Sequence, residues 1–285
     1  MRYRERREKA RAVLEGTDCI HPASVHDPLS ARIAEELGFE LGMFAGSTAS
    51  LAILGAPDLI LITLSEFAEQ CRRITRAGNL PVVVDADHGY GNALNVIRTV
   101  EEMEQAGIVA MSIEDTELPR PHRAPKPRLI PVEEGVGKMR AAVKARVDTG
   151  LAIFARTGAM NTTGLADCLA RIAAYNATGV DGIFLTGVTT RADLDAAAAA
   201  TKLPLVLGTL SDEISDRAYL ASRGVRIALQ GHAPSQAAAQ AIHATLKALR
   251  EGTRPADLQG LPPKGAMARW TRDAAYAEDT ERFLG

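Results

Sequence analysis

The sequence predicts an α/β protein folded as a closed (β/α)₈ barrel, and two observations support this fold class. Short apolar runs alternate with helical patterns eight times along the chain, and no two apolar runs are adjacent. Such alternation indicates parallel strands joined by helical crossovers, and eight units in about 250 residues fit a closed barrel. A doubly wound open sheet is the alternative, but no Gly-x-Gly-x-x-Gly motif follows the first strand. The 285 residues, 46% of them hydrophobic, suffice for one large domain or two small ones.

The eight strands are assigned to apolar runs that end in polar or glycine-rich segments. Their expected positions are 17–20, 39–45, 80–85, 108–113, 151–155, 180–185, 203–207 and 225–229. Capping residues indicate where helices begin, since Asp27 precedes Pro28 and Thr63 forms a capping box with Glu66. Glycines such as Gly107 are expected to end helices, because the residue after a helix often adopts a left-handed conformation.

Two terminal segments lie outside the repeat. Residues 2–11 alternate Arg with Glu, which predicts a solvated helix, and contain no apolar core of a signal peptide. We expect a single domain, with the barrel at about 15–252 and a helical tail at 253–285. The tail is broken by Pro262-Pro263 and is expected to resume as a helix near Ala266.

Composition excludes several classes of partner. The formal net charge is -2, so no global charge points to nucleic acid, and no run is long and apolar enough to span a membrane. Cys19, Cys71 and Cys168 are far apart, which predicts no disulfide framework and a reducing compartment. We therefore expect a cytoplasmic protein.

The stretch 80–92 carries the strongest signal for a functional site. Asp85 and Asp87 are two residues apart, so on a strand their side chains leave the same face. A divalent cation relieves the repulsion between them, and hard carboxylate oxygens suit Mg²⁺, with Mn²⁺ also possible. The alternative is a strand-to-helix turn in which an Asp serves only as a cap.

In a barrel of this kind the carboxyl ends of the strands meet at one face, where active sites lie. The polar residues expected at those ends are Ser47, Asp85, Asp87, Glu114, Arg156 and His232. Three carboxylates, one guanidinium and one imidazole fit a metal site that holds a small polyanion, and Arg is suited to bidentate carboxylate binding. A buried structural ion network is the alternative.

Two loops near these strand ends differ in character. Residues 46–50 read Gly-Ser-Thr-Ala-Ser, so Ser47 and Thr48 are candidates to bind an anion through hydroxyl and backbone N–H groups, unless this is a plain turn. Residues 117–131 contain five prolines and five basic side chains, which forbid regular structure. A loop of this length in a compact domain is usually functional or disordered.

The chain resembles the isocitrate lyase and phosphoenolpyruvate mutase superfamily over nearly its whole length. The motifs that carry the resemblance are Asp85-Ala86-Asp87-His88-Gly89-Tyr90-Gly91-Asn92, Ser112-Ile113-Glu114-Asp115, Ala155-Arg156-Thr157, and Gly46-Ser47 with Pro57-Asp58. Within the superfamily the chain looks most like the Mg²⁺-dependent oxaloacetate decarboxylases. The further segments shared with them are Thr63-Leu64-Ser65-Glu66-Phe67, Glu133-Glu134-Gly135-Val136-Gly137-Lys138 and Gly231-His232-Ala233.

The resemblance implies a role for each candidate residue. Ser47 binds substrate through its hydroxyl and backbone, and Arg156 and His232 contact the substrate carboxylates and act in catalysis. Asp85 ligates Mg²⁺, while Asp87, Glu114 and the catalytic candidate Asp58 hold the waters of the metal. The resemblance also implies a helix exchanged between subunits in a homotetramer built as a dimer of dimers.

Some positions depart from the family pattern. Lyases of the family carry Lys-Lys-Cys-Gly-His after the fourth strand, with Cys as catalytic acid–base, but residues 117–131 contain no Cys. Isocitrate or methylisocitrate cleavage is therefore not expected. Leu210 stands where the closest decarboxylases have Tyr, and Gly158 stands where Asn is usual. These departures bear on the substrate.

The resemblance thus implies a carboxy-lyase that converts oxaloacetate to pyruvate and CO₂ through a metal-stabilised enolate. The nearest alternative is a C–C lyase or hydrolase acting on another 2-oxo or 2-hydroxy diacid, in the manner of 2-methylisocitrate lyase. A barrel that binds a metal and a metabolite without turnover is the third possibility.

Overall fold

The computed structural model describes residues 2–285, which contain one sheet of eight parallel strands. The strands are β1 Ala23–Ser24, β2 Gly42–Phe44, β3 Val82–Asp85, β4 Ala110–Glu114, β5 Ala152–Thr157, β6 Gly182–Leu185, β7 Leu205–Leu207 and β8 Val225–Ala228. Each strand pairs with the next one in the chain, from β1 to β8. This order, with helices between the strands, confirms the predicted (β/α)₈ architecture.

The first strand lies later in the chain than predicted. Ile20 forms a single parallel bridge with β8, where the Ala228 N–H donates to the Ile20 carbonyl at 3.0 Å. The ladder with β2 begins only at Ala23, whose N–H donates to the Leu41 carbonyl at 2.9 Å. Pro22, which has no N–H, separates these two pairings. The segment around Ile20 therefore closes the barrel instead of forming β1.

The helices alternate with the strands. They are α1 Arg2–Glu15, α2 Pro28–Glu36, α3 Gly46–Ala49, α4 Leu64–Ala77, α5 Ala93–Gln105, α6 Val132–Ala145, α7 Ala159–Thr162, α8 Leu165–Asn176, α9 Arg191–Ala199, α10 Arg217–Ser222, α11 Ala233–Arg250, α12 Ala266–Thr271 and α13 Asp273–Leu284. A π-helical turn covers Ser50–Leu54, and 3₁₀ turns cover Asp212–Ile214 and Pro255–Asp257. The predicted caps of α2 and α4 at Asp27 and Thr63 are confirmed. None of the helices in residues 2–285 is long and apolar enough to cross a bilayer.

Strand side chains alternate between the barrel interior and the layer beneath the helices. Val83 packs in the interior with Ala110 and Phe154, whereas Val82 and Val84 belong to the larger cluster that includes helix residues. This alternation follows from the period of two of a strand. It also decides which side chains at the strand ends face the centre of the barrel.

Helix α1 does not lie free in solvent as predicted. Arg7 and Ala10 are buried, and Ala10 joins the interior cluster of the barrel. The Arg7 Nη1 atom lies 2.6 Å from Asp148 Oδ2, and Arg11 Nη1 lies 2.7 Å from Asp181 Oδ1. Asp148 and Asp181 precede β5 and β6, so α1 covers the end of the barrel opposite the predicted site. Pairing with Asp148 is what permits Arg7 to be buried.

The side chains of the C-terminal helices are more exposed to solvent than those of the other helices. Helix α11 buries Ser235, but its apolar side chains Ile242 and Leu246 are about 60% exposed. Helix α12 contacts α2, whereas α13 has no buried residue. The predicted tail helix near Ala266 is confirmed, and it is followed by a second one.

Candidate active site

Asp85, Glu114 and Arg156 continue the interior-facing rows of β3, β4 and β5. Each lies an even number of residues from an interior residue of its strand, and Glu114 and Arg156 are paired in the β4–β5 register. They therefore converge at the carboxyl end of the barrel, as predicted.

Arg156 bridges two of the carboxylates. Its Nη1 atom donates to Asp85 Oδ2, and its Nη2 atom lies 3.3 Å from Glu114 Oε2. Burial opposes the charge of this guanidinium, but Asp85 and Glu114 outweigh it and raise the pKa of Arg156. Arg156 is thus a permanent cation beside the predicted metal ligands. Its Nε–H is buried and has no acceptor among residues 2–285.

Two hydroxyls orient the same carboxylates. Ser112 Oγ donates to Asp85 Oδ1 at 2.9 Å, and Thr116 Oγ1 donates to Glu114 Oε2 at 2.9 Å. Sequence reasoning assigned neither hydroxyl a role. Ser112 could have been found, because it shares the interior face with Glu114, two residues later on β4.

Asp87 is placed by the turn that follows β3, and not by a strand face shared with Asp85 as expected, because β3 ends at Asp85. Its backbone is left-handed (φ 48°), and its carbonyl accepts from the Glu114 N–H at 2.8 Å. Gly46 packs against the carboxylate so closely that a Cβ there would overlap it. Burial, then Asp85 and Glu114, hold the pKa of Asp87 well above its usual range. Its Oδ2 atom is buried and has no hydrogen-bond partner among residues 2–285.

His232 and Asp58 line the other side of the site. His232 is the residue before α11, and its Nδ1 atom lies 2.9 Å from Ser24 Oγ at the end of β1. Burial lowers the pKa of His232, so its imidazole is neutral at pH 7. Asp58 lies in the irregular segment before α4, where burial and then Asp85 raise its pKa. Sequence reasoning missed Ser24, because the first strand was expected to end at residue 20.

These groups line one cavity of about 530 Å³. Ser47 lies in its wall with Asp58, Asp85, Asp87, Glu114, Arg156 and His232. Thr48 does not. It is buried, and its Oγ1 atom donates to the Ala45 carbonyl at 2.8 Å. The expected loop is helical from Gly46, and the turn of that helix directs Thr48 back to the backbone.

The proline-rich segment forms the outer wall of the cavity. Its two ends run antiparallel, with a bridge between Thr116 and Leu129 and a 2.8 Å hydrogen bond from the Glu117 N–H to the Arg128 carbonyl. Arg171 of α8 fixes the base of the segment, since its Nη1 atom donates to Asp115 Oδ2 (3.0 Å) and to the Ile130 carbonyl (3.1 Å). The segment is thus irregular but anchored.

The donor set fits a hard divalent cation that keeps part of its water shell. Within residues 2–285, no three His, Cys, Asp or Glu side chains form a ready-made cage for an ion. Mg²⁺ rarely needs such a cage, because it retains waters and uses one or two carboxylates. The buried Asp87 Oδ2 without a partner, beside Asp85 and Glu114, is the type of oxygen that such an ion or its waters would satisfy.

Comparison with known proteins agrees with this geometry. The family model for phosphoenolpyruvate phosphomutase matches residues 11–250. The chain belongs to this family. It is also 57% identical to an oxaloacetate decarboxylase from Bradyrhizobium sp. (strain ORS 278), over 100% of this chain and 99% of the relative. The predicted superfamily is confirmed.

Solved structures of the family share the fold. A structure of oxaloacetate acetylhydrolase with the inhibitor 3,3-difluorooxalacetate superposes with a TM-score of 0.87 at 27% identity, covering 99% of this chain and 98% of that one. Phosphonopyruvate hydrolase in complex with oxalate and Mg²⁺ gives a TM-score of 0.85 at 28% identity, covering 98% and 99%. Family members therefore perform different reactions on the same barrel, and the residues of each site must decide between them.

Proposed function

We propose that this protein is a Mg²⁺-dependent oxaloacetate decarboxylase that releases pyruvate and CO₂. The observation that carries the proposal is 57% identity over the whole chain to an enzyme of that name. A cavity lined by Asp85, Asp87, Glu114 and Arg156 supports it, because a 2-oxo acid needs a cation and a guanidinium at its carboxylate end.

Asp85 would bind the metal ion directly, and Asp87 and Glu114 would bind its waters. Asp58 would lie at the edge of the metal site. Mn²⁺ would fit the same oxygens. When bound, the ion acts as a Lewis acid toward the 2-oxo oxygen. The family neighbour that binds oxalate and Mg²⁺ supports this choice of ion.

The side chains of the site have separate tasks in this reaction. As the C3–C4 bond of oxaloacetate breaks, its electron pair moves toward C2 and negative charge grows on the 2-oxo oxygen. Arg156, which stays charged between Asp85 and Glu114, stabilises that charge. Ser47 adds a hydroxyl and a backbone N–H at the same end. His232 is neutral, so it binds the leaving carboxylate without resisting its conversion to uncharged CO₂.

The reaction needs no side-chain base at its start, since the departing CO₂ leaves its electrons behind. A proton from water then adds to C3 and completes the methyl group of pyruvate. That no base is needed agrees with the absence of a cysteine from residues 117–131. Cys19, Cys71 and Cys168 are buried in the barrel layers, and none lines the cavity. Cleavage of an isocitrate-type substrate by a loop cysteine is therefore not supported.

Hydrolysis is the second candidate, because oxaloacetate acetylhydrolase shares the fold at a TM-score of 0.87. The two reactions give different products from one substrate. Decarboxylation of oxaloacetate yields pyruvate and CO₂, whereas hydrolysis of its C2–C3 bond yields oxalate and acetate. Purified protein with Mg²⁺ should form pyruvate faster than Mg²⁺ alone does, as followed by coupling to lactate dehydrogenase. Formation of oxalate, or of no product from a panel of 2-oxo and 2-hydroxy diacids, would contradict the proposal.

We further propose a single barrel domain over about 15–252, with residues 253–285 as an assembly segment of a homotetramer. The exposed Tyr276 and Phe283 on α13 support this, since apolar side chains on a helix need a partner surface. An apolar groove between α2 and the start of α11, lined by Leu37 and Phe39, offers such a surface on a second copy. A cytoplasmic location is supported by three buried cysteines without disulfides.

A further inference from the structure

The negative and the positive side chains that line the cavity lie mostly at different depths. Three buried carboxylates, from Asp85, Asp87 and Glu114, face a single guanidinium in its inner part, and the exposed Asp58 adds a fourth nearer the surface. Even a divalent cation would leave this region poorly suited to attract a dianion. A second source of positive charge is therefore needed for a dicarboxylate to enter.

The outer wall supplies such charge. Arg120, Lys126 and Arg128, here called the cationic rim, all line the cavity from the proline-rich segment. The Arg120 guanidinium donates to the Ala124 carbonyl, with Nε at 2.7 Å, and so fixes the turn of the segment. Lys126 and Arg128 are exposed, and neither forms an ion pair with a carboxylate in residues 2–285. Only Glu117 brings a negative charge to the same wall.

The backbone that carries the cationic rim is anchored to the barrel. Arg128 lies in the antiparallel stem, where its carbonyl accepts from the Glu117 N–H at 2.8 Å. The stem is tied to the barrel through Asp115, whose carboxylate also accepts from Tyr175 OH at 2.8 Å. Both groups are buried. The cationic side chains thus extend from an anchored base over the cavity.

We propose that Lys126 and Arg128 act together with His232 on the substrate carboxylate that lies away from the metal end, and that these two cations select dicarboxylates over monocarboxylates. The proposal rests on the function proposed above and deepens it. A substrate with one carboxylate near Asp85 and Arg156 directs the other toward the mouth of the cavity, where the rim lies. Exposed, hydrated cations suit this task, because a buried clamp would oppose the loss of charge as CO₂ departs.

The expected change in KM follows from the solvent exposure of Lys126 and Arg128. An exposed ion pair changes an equilibrium by roughly threefold to fivefold. Lys126→Gln with Arg128→Gln should therefore raise the KM for oxaloacetate by roughly tenfold and leave kcat within about twofold. Arg123→Gln is the matched control, since Arg123 belongs to the same segment, carries the same charge and does not line the cavity. It should leave KM unchanged.

A second measurement tests binding by the cationic rim independently of the chemical reaction. Calorimetric titration of the Mg²⁺-loaded protein with 3,3-difluorooxaloacetate and with pyruvate compares ligands with and without the outer carboxylate. The double variant should bind 3,3-difluorooxaloacetate roughly tenfold more weakly than the wild type and bind pyruvate equally well. Raising the ionic strength from roughly 0.05 to 0.5 M should weaken dicarboxylate binding in the wild type more than in the double variant.

The outcomes distinguish this inference from the proposed function. The wild type could bind the dicarboxylate more tightly than the double variant does and yet form no pyruvate from oxaloacetate. The proposed function would then be wrong, whereas the assignment of the rim to the outer carboxylate would be retained. If pyruvate is formed and KM is the same in the wild type and the double variant, the rim assignment is wrong. Equal weakening of pyruvate and 3,3-difluorooxaloacetate would also overturn it, because the rim would then not recognise the outer carboxylate.

Discussion

Arg156 at the end of β5 donates to the carboxylate of Asp85 at the end of β3, across the intervening strand β4. The pair joins a permanent cation to the residue expected to ligate the metal. Asp85 is also fixed by Ser112, so its two oxygens have defined partners. Arg156 and a divalent ion would share this carboxylate, and the guanidinium would then lie at the end of the site where negative charge is expected to grow.

Removal of the metal ligand should abolish activity. Asp85→Ala is expected to lower kcat by at least roughly 100-fold, because both the ion and the orientation of Arg156 are lost. Chelation of the wild type should have the same effect and should be reversed by added Mg²⁺. A chelated enzyme that retains full activity would rule out the metal mechanism.

Arg156→Ala should act mainly on kcat. A group that stabilises developing charge contributes in the transition state, so we expect kcat to fall by roughly 100-fold or more. Steady-state kinetics with saturating Mg²⁺ measure the effect, and Arg156→Lys tests whether charge without the bidentate fork suffices. A change confined to KM would show that Arg156 only binds the ground state.

His232→Gln should act mainly on KM. Its imidazole is neutral and held by Ser24, so it contributes binding that is similar in the ground and transition states. Ser24→Ala, which removes only the partner of the imidazole, should produce a smaller rise in KM of the same kind. A large loss of kcat in His232→Gln would instead indicate a part in the chemical step.

Gly46→Ala should damage the site more than the fold. A methyl group at this position would overlap the Asp87 carboxylate, so Asp87 must move away from Asp85 and Glu114. We expect at least a roughly tenfold loss of kcat/KM, with circular dichroism unchanged. Gly137→Ala on α6 is the matched control, since a Cβ there meets no atom within 4 Å. Equal activity of the two variants would contradict this account of Asp87.

The assembly should depend on the C-terminal helices. Light scattering is expected to show a tetramer for the full chain and a smaller or aggregated species when the chain ends at Gly252. Ile242→Glu with Leu246→Glu, which changes only exposed side chains of α11, should also reduce the assembly. A tetramer that survives both changes would count against exchange of these helices.

The fold was largely predictable because its signals are local. Continuous apolar runs mark buried parallel strands such as β3, and capping residues such as Asp27 and Thr63 mark helix starts. The prediction was wrong for the position of β1 and for the solvent exposure of α1, although α1 is helical as predicted. Because β1 has only two residues, it gives little signal in the sequence. The burial of Arg7 on α1 depends on Asp148, which is 141 residues away in the chain.

The sequence by itself determined the barrel, the family and the convergence of Asp85, Asp87, Glu114 and Arg156. It could do so because strand alternation and the common face of parallel strand ends are properties of short segments. Tertiary structure alone decided how these groups are paired and what surrounds them. Ser24 reaches His232 across 208 residues of sequence, and Arg171 anchors the proline-rich segment so that Arg128 lies at the cavity mouth. Such contacts depend on the distance between atoms that are remote in the chain, and no local pattern of residues encodes that distance.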